Sequence, residues 1–426
     1  MYIWNSMWHY TKYFLAAWIM LFSLPLFILG GSALMWYGIA AIVFIALGDV
    51  FFGEDLNEYE GSYRYPGLFF WLETLSQIIM IVTMVLYAWL LGLPERDLFN
   101  IGAVIQAWTG FDAIAAHAQG DGLGFWISAF AITGFGGALV NVAIAHNMIH
   151  RTYDAKSVWI GRIGEAFGMF TYFSIRHPYG HHNLVGTPAD PAWGRRGENW
   201  YHFFLRSVIG QYKMTWDLEK RRLRKMRKSP WSPSNAALQG WLLEVLVAIL
   251  FFHAAGWMGL IAFLGIGIVT HAALEFANYI EHYGLVRSPE TPFQYRHAWN
   301  DNHRLSLWLI AGVPRHAHHH ADAQVEHYEL KALPYEAPAT LGGYIVSAVA
   351  AFIPPLWQYL MTPRLLAWDA TFANDTEREL AAIENMRSGV PLLVEAGERY
   401  FIQRGCPLPK ITTGQKVDGL PLADIA

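Results

Sequence analysis

The stretch Ala143-Ile144-Ala145-His146-Asn147-Met148-Ile149-His150 ends an apolar run that begins at about Phe125. Its two histidines are four residues apart, which places both imidazoles on one side of a helix. Further histidines cluster near other apolar runs, at His177, His181 and His182, at His282, and at His316, His319 and His320. Nine clustered imidazoles exceed the four ligands of a tetrahedral zinc site. They predict a polynuclear metal centre at a membrane surface, with the histidines of each cluster directed at a common point.

The composition is that of a membrane protein. The chain has 426 residues, of which 54% are hydrophobic and 15% charged, which is more apolar than a soluble domain of this length. We therefore expect an all-α integral membrane protein. Cys406 is the only cysteine, so this chain cannot build an iron–sulfur cluster, and electrons must come from another protein. No nucleic-acid partner is expected.

Hydropathy predicts about six transmembrane helices. Each needs about 20 apolar residues to cross a bilayer. The candidate runs are Phe14–Gly30, Ala33–Phe52, Phe69–Leu93, Phe125–Ala145 and Ala236–Ala273. The last run is too long for one crossing, and a break near His253 and Gly256 would fold it into a hairpin.

The distribution of basic residues predicts the orientation. The segment from His146 to Asn235 contains 15 of the 30 lysines and arginines, whereas the loop from Pro94 to Gly124 contains only Arg96. Basic loops remain on the cytoplasmic side, so we expect a multi-pass protein of a bacterial inner membrane with a cytoplasmic histidine-rich cap.

Four regions follow from these boundaries. We expect the first four transmembrane helices in residues 1–145, a cytoplasmic histidine region in 146–235 and the helix hairpin in 236–275. Residues 276–426 would form the rest of the cytoplasmic cap. Within them, the apolar segment Tyr344–Leu360 is broken by two prolines and is expected to lie along the membrane interface.

Acidic residues near the histidines are candidates for orienting the imidazoles. A ligand histidine usually donates its other ring N–H to a carboxylate or carbonyl. The candidates by sequence proximity are Asp190, Glu275, Glu281, Asp301 and Asp322.

The histidine motifs resemble those of the integral-membrane alkane and xylene monooxygenases. The resemblance rests on the run NYIEHYGL from Asn278 to Leu285 together with the three histidine clusters. HYGLVR from His282, HAWN from His297 and IPPLW from Ile353 are more similar to the xylene monooxygenase hydroxylase component. The resemblance implies two non-haem irons held by His146, His150, His177, His181, His182, His282, His316, His319 and His320.

Two positions depart from the family pattern. Asn147 stands where the family usually has glutamate after the first histidine, and His318 stands where it usually has aspartate or asparagine. Both are kept as candidate outer neighbours of the metal site. The nine ligand positions are intact.

The resemblance also implies an activity. An O₂-dependent diiron monooxygenase would hydroxylate an unactivated C–H bond, here the methyl group of an aromatic or terpene-like hydrocarbon, with two external electrons. The donor would be a ferredoxin-reductase-like protein for a xylene-type enzyme, or rubredoxin for an alkane type. Alternatives are terminal hydroxylation of linear alkanes, desaturation of a fatty-acyl chain, and a non-catalytic metal or electron carrier.

Other features have simpler interpretations. His253 and His271 lie alone in apolar runs and are expected to be structural. The basic run Lys220–Lys228 is expected to contact lipid headgroups, although it could also dock an acidic electron carrier.

Overall fold

The computed structural model describes residues 7–59 and 61–409 and is built from helices. Within these ranges, β structure consists of two isolated bridges, Glu54 with His303 and Asn300 with Ala339. The outer ends of the predicted regions 1–145 and 276–426 lie outside the described residues. The division into four regions stays a prediction, whereas the all-α class is confirmed.

The α-helices range in length from the three residues of His182–Leu184 to the 47 residues of Ala236–His282. They are α1 (Met7–Thr11), α2 (Leu15–Leu29), α3 (Ala33–Phe51), α4 (Gly67–Gly92), α5 (Ile101–Thr109), α6 (Ala113–Ala118), α7 (Leu123–Gly136), α8 (Ala143–His150), α9 (Ala155–Phe167), α10 (Phe173–Arg176), α11 (His182–Leu184), α12 (Trp200–Lys225), α13 (Ala236–His282), α14 (Arg304–Leu309), α15 (His316–Ala321), α16 (Tyr344–Phe352), α17 (Pro354–Thr371), α18 (Asp375–Arg387) and α19 (Pro391–Gln403). Short 3₁₀ turns occur at Lys12–Phe14, Leu98–Asn100, Tyr295–His297 and His327–Glu329, and π-helical segments at Gly137–Val142 and His177–His181.

Five continuous helical stretches are long and apolar enough to cross a membrane. They are Met7–Leu29, Ala33–Phe51, Gly67–Gly92, Leu123–His150 and Ala236–His282, close to the five runs expected from hydropathy. Ile42 and Val50 of α3 are 65% and 57% exposed. Apolar side chains exposed along a whole helix are expected where lipid covers the protein.

The longest helix, α13, is a hairpin. Its backbone leaves the helical conformation at Ala255 and at Gly256, whose φ is +60°. Phe251 and Phe263 lie on opposite sides of this break, and their ring centroids are 5.2 Å apart. In a straight helix, twelve residues would span about 18 Å. The break predicted near His253 and Gly256 is therefore present, and the five stretches provide six apolar segments.

Polar caps set where the helices flanking the histidines begin. The side chain of Asn199 accepts the backbone N–H of His202 at the start of α12. Asn235 accepts those of Ala237 and Leu238 at the start of α13. Such caps satisfy N–H groups that the first helical turn leaves without partners.

A second hydrophobic core, separate from that of the membrane helices, surrounds the end of α13. Trp193, Tyr279, Tyr283 and Trp357 are all buried in it. The indole N–H of Trp193 donates to the carbonyl of Leu285 at 2.6 Å. This packing fixes the chain on both sides of His282.

Candidate metal centre

Two groups of histidines lie side by side at the ends of the membrane helices. In each group, one ligand atom from every histidine lies within 4.8 Å of the others. The first group consists of His146, His150, His177, His182 and His319, and the second of His181, His282, His316 and His320. All nine histidines singled out from the sequence are brought together.

The two groups do not coincide with the clusters seen in the sequence, because two of those clusters contribute histidines to both groups. The spacing of His177 and His181 predicts a common target, yet His177 lies in the first group with His182, and His181 lies in the second. The reason is the π-helical segment His177–His181, whose i→i+5 hydrogen bonding places residues five apart on one side. In α15, His316 and His320 are one turn apart and reach the second group, while His319 reaches the first.

The ring nitrogens within each group converge. In the first group, the Nε2 atom of His146 lies 2.7 Å from that of His177 and 3.2 Å from that of His150. In the second, the Nε2 atom of His316 lies 3.0 Å from that of His282 and 2.9 Å from that of His320. Because each neutral imidazole has one nitrogen lone pair, lone pairs meeting at these distances repel unless a proton or a metal cation lies between them.

Burial keeps these imidazoles in the neutral form that binds metal. The pKa values of His177, His316 and His319 lie well below the usual value for histidine, first because burial disfavours the charged ring and second because other histidines are close. Neutral nitrogen donors in two compact groups fit a pair of iron ions.

Two of the predicted carboxylates contact histidines of the second group. Asp190 Oδ2 lies 2.7 Å from His181 Nδ1. Glu281 Oε1 lies 3.2 Å from His316 Nδ1 and also accepts a hydrogen bond from the Tyr344 hydroxyl. Burial alone would raise the pKa of Asp190, but the adjacent His181 lowers it below the usual value, so Asp190 is a carboxylate. A carboxylate behind an imidazole fixes the ring and increases its basicity.

Of the other predicted outer residues, Asn147 also makes a side-chain hydrogen bond with His146, and the remaining four make contacts that lead away from the nine histidines. Asn147 donates to the carbonyl of Ala311 (3.5 Å), Glu275 accepts from Gln211 (2.6 Å), Asp301 lies against His303 (2.5 Å), Asp322 accepts from the N–H of Gln324 (3.1 Å) and His318 accepts from the N–H of Lys331 (3.2 Å). His318 is two residues from both His316 and His320, so it projects from the other side of α15.

An ion-pair cluster that sequence reasoning missed lies beside the first group. The Arg151 guanidinium, next in the chain after His150, binds Glu73 at 2.5 and 3.0 Å and Glu326 at 2.9 and 2.6 Å. His327 Nδ1 lies 3.4 Å from Glu73. All four carboxylate oxygens contact Arg151, so Arg151 is itself the cation of this cluster. A lone glutamate within an apolar run was the available signal for it.

The family profile for fatty acid desaturases matches residues 122–349, a range that contains all nine histidines. The chain belongs to this family. By family, this chain is a multi-pass membrane protein and a non-haem diiron monooxygenase.

Bacterial monooxygenases are among the relatives within this family. Alkane 1-monooxygenase 2 of Alcanivorax borkumensis is 30% identical over 291 residues, 65% of this chain and 74% of the relative. Alkane 1-monooxygenase of Pseudomonas putida is 29% identical over 370 residues, 83% and 81%. The xylene/toluene monooxygenase hydroxylase component of Pseudomonas putida is 31% identical over 268 residues, 59% and 68%. These identities do not separate alkane from xylene enzymes.

Proposed function

We propose that the nine histidines hold two iron ions, five ligands in the first group and four in the second, and that the protein hydroxylates an unactivated C–H bond of a hydrocarbon. The observation that carries this proposal is the convergence of the nine ring systems into two compact groups. Bound ferrous ions would supply reductive activation of dioxygen, with one oxygen atom entering the substrate and the other leaving as water.

The protein residues hold and shield such a centre. Asp190 is hydrogen-bonded to Nδ1 of His181 and would orient that ring, and Glu281 lies 3.2 Å from Nδ1 of His316. The histidines are mostly buried, with His181 and His282 having no exposed surface. Exclusion of water protects a strong oxidant from side reactions.

The position of the site suits an apolar substrate. His146 and His282 lie in the same helical stretches that are apolar enough to cross a membrane, Leu123–His150 and Ala236–His282. A hydrocarbon dissolved in lipid can approach along these helices without entering water. We propose a methyl group on an aromatic or terpene-like skeleton as the target, supported by the stretches HYGLVR and HAWN described above.

Terminal hydroxylation of linear alkanes is the second candidate. It is favoured by the alkane 1-monooxygenases among the relatives, which match up to 83% of this chain. Desaturation of an acyl chain is a third and weaker alternative, suggested by the name of the family profile. For an alkane enzyme the donor would be rubredoxin, and for a xylene-type enzyme a ferredoxin-reductase-like protein.

We place the protein in a bacterial inner membrane with the histidine groups on the cytoplasmic side. The 15 basic residues between His146 and Asn235 support this orientation. Cytoplasmic exposure would also give a soluble electron donor access to the site.

Product analysis tests the activity. Membranes containing the protein, a reductase system and oxygen are supplied with p-xylene, p-cymene and octane, and products are identified by mass spectrometry. We expect benzylic alcohols in excess of 1-octanol. Excess 1-octanol would support the alkane alternative, and an unsaturated product without alcohol the desaturase alternative.

A matched pair of variants controls this assay. His282→Gln removes a proposed ligand, whereas His271→Gln changes a histidine of the same helix whose Nδ1 contacts the Gly267 carbonyl at 2.8 Å. Only the first should abolish product formation. Equal loss in both would contradict the assignment of the site.

A further inference from the structure

A groove with a volume of about 890 Å³ runs along one side of α12. Its basic residues are Arg162, Lys213, Arg221, Arg222 and Lys225, and its acidic residues are Asp217 and Glu219. We call it the basic groove. Five cationic and two anionic side chains leave it with net positive charge. The groove is much larger than an inorganic ion needs.

The basic groove shares a wall with the metal centre. Ile149, Gly180 and Asn183 line the groove. Each is the chain neighbour of a proposed ligand, since they adjoin His150, His181 and His182 in the sequence. An electron that arrives at this wall therefore has to pass only from one residue to its neighbour in the chain to reach a histidine of either group.

One of the cations in the groove is paired with a carboxylate, and others are exposed. Glu219 binds the Arg222 guanidinium at 2.7 and 2.8 Å and accepts the backbone N–H of Ala236 at 2.6 Å, which neutralises Arg222. Lys213 and Lys225 are exposed and project into the groove with Arg221. The groove therefore presents a cationic rim that would attract an acidic partner.

The basic residues of α12 lie on two faces. Lys213, Arg221 and Lys225 recur at intervals of four or eight and line the groove, as expected for one side of a helix. Lys220 and Arg224 belong to the same basic run and are exposed but do not line it. Docking in the groove involves the first set, so Lys220 and Arg224 provide a matched control on the same helix.

We propose that the basic groove docks an acidic electron-carrier protein, which passes electrons to the metal centre through the segment from Gly180 to Asn183. This inference rests on the proposed function and names the surface its electron donor uses. The balance is RH + O₂ + 2e⁻ + 2H⁺ → ROH + H₂O. A one-electron carrier must therefore dock, be oxidised and leave twice in each turnover.

Charge reversal on the two faces tests the proposal. The variants are Lys213→Glu with Lys225→Glu, and the control Lys220→Glu with Arg224→Glu, in the full chain reconstituted in lipid nanodiscs. The substrate is held saturating while reduced rubredoxin is varied. We expect the groove variant to raise the KM for rubredoxin by about tenfold or more, with a smaller salt dependence, because steering charges act on association. The control should change the KM by less than about twofold.

A second measurement separates this proposal from the proposed function. Dithionite replaces the carrier in a single turnover, and the alcohol formed per protein is measured together with the iron content. The groove variant should match the unsubstituted protein in both. If no protein forms alcohol even with dithionite, the proposed function fails. If alcohol forms and rubredoxin kinetics are unchanged in the groove variant, docking in the groove is wrong.

The lipid interpretation is an outcome of the same experiment. Both double variants are assayed in nanodiscs of phosphatidylcholine alone and with phosphatidylglycerol added. Equal KM changes in the two variants, appearing only with the anionic lipid, would overturn the docking proposal in favour of a headgroup site.

Discussion

The two histidine groups differ in whether carboxyl groups contact their imidazole rings. The second group has four histidines, and carboxylates contact two of them, Asp190 at His181 and Glu281 at His316. The first group has five histidines, and within residues 7–59 and 61–409 no carboxylate comes within 4.0 Å of their ring nitrogens. We expect metal binding by the first group to benefit from its larger number of histidines, and metal binding by the second group from carboxyl groups that orient the rings and raise their basicity.

This difference predicts that the two proposed iron sites fail in different ways. A group of five histidines can lose one and still offer as many imidazoles as the second group has in total. A site with four ligands has no such reserve, but two of its imidazoles, those of His181 and His316, have a carboxyl group beside them. Substitutions at matched positions of the two groups therefore distinguish the effect of the number of histidines from the effect of the carboxyl groups beside them.

The largest effect is expected from removing a histidine of the second group. His282→Ala should lower activity by more than about 100-fold, beyond the range for loss of an outer partner, and reduce the iron content from two per chain towards one. His150→Ala, in the five-membered group, should retain more iron. Elemental analysis and Mössbauer spectra measure both. Equal iron loss in the two variants would contradict the comparison.

The next effect is expected from the carboxylate behind His181. Asp190→Asn keeps the shape of the side chain but removes its charge, and it should weaken iron binding at the second group by about 10- to 100-fold. Competition with a ferrous chelator measures this affinity. Asp322→Asn is the control, because Asp322 is exposed and its carboxylate accepts the N–H of Gln324 within its own turn. If the control releases iron as readily, the orienting role of Asp190 is wrong.

A smaller effect is expected at Glu281. Its distance to His316 is longer, at 3.2 Å, and the Tyr344 hydroxyl already donates to the same oxygen. Glu281→Gln should therefore lower iron affinity by about tenfold or less, at the low end for an outer partner. Tyr344→Phe should change it less, since His316 keeps its carboxylate. The same chelator competition measures both, and a larger loss for Tyr344→Phe would reverse this order.

The smallest effect is expected at the extra histidine of α15. His318 accepts the backbone N–H of Lys331 and belongs to neither group. His318 is buried, but in His318→Gln the new side chain can accept the same hydrogen bond, so iron content and activity should remain within about twofold. A drop in iron content would show that the groups extend beyond the nine histidines.

Much of the fold follows from local sequence signals. The apolar runs predict the five long helical stretches, and the position of Gly256 predicts the break in α13. The nine histidines were also identifiable, because pairs such as His146 and His150 stand at helical spacing beside apolar runs. These signals need no knowledge of distant contacts.

The arrangement within the site was not predictable in the same way. The division between His181 and His182 depends on a π-helical segment, which has no simple sequence signature. Tyr344 meets Glu281 from 63 residues away, and Arg151 meets Glu326 from 175 residues away. Proximity in sequence instead favoured Asp301 and Asp322, whose carboxylates serve their own turns.

The hairpin in α13 has a topological consequence. All nine imidazoles must emerge from one side of the bilayer, so the polypeptide has to cross an even number of times between any two of them. Between His182 and His282 the apolar segment Ala236–His282 makes this excursion, and its bend at Gly256 makes the number of crossings two. A shortened α13 that crossed once would leave His282 on the opposite side, thirty ångströms or so of hydrocarbon away from its partners. Whether this segment crosses the membrane an even or an odd number of times thus decides whether a complete centre can assemble.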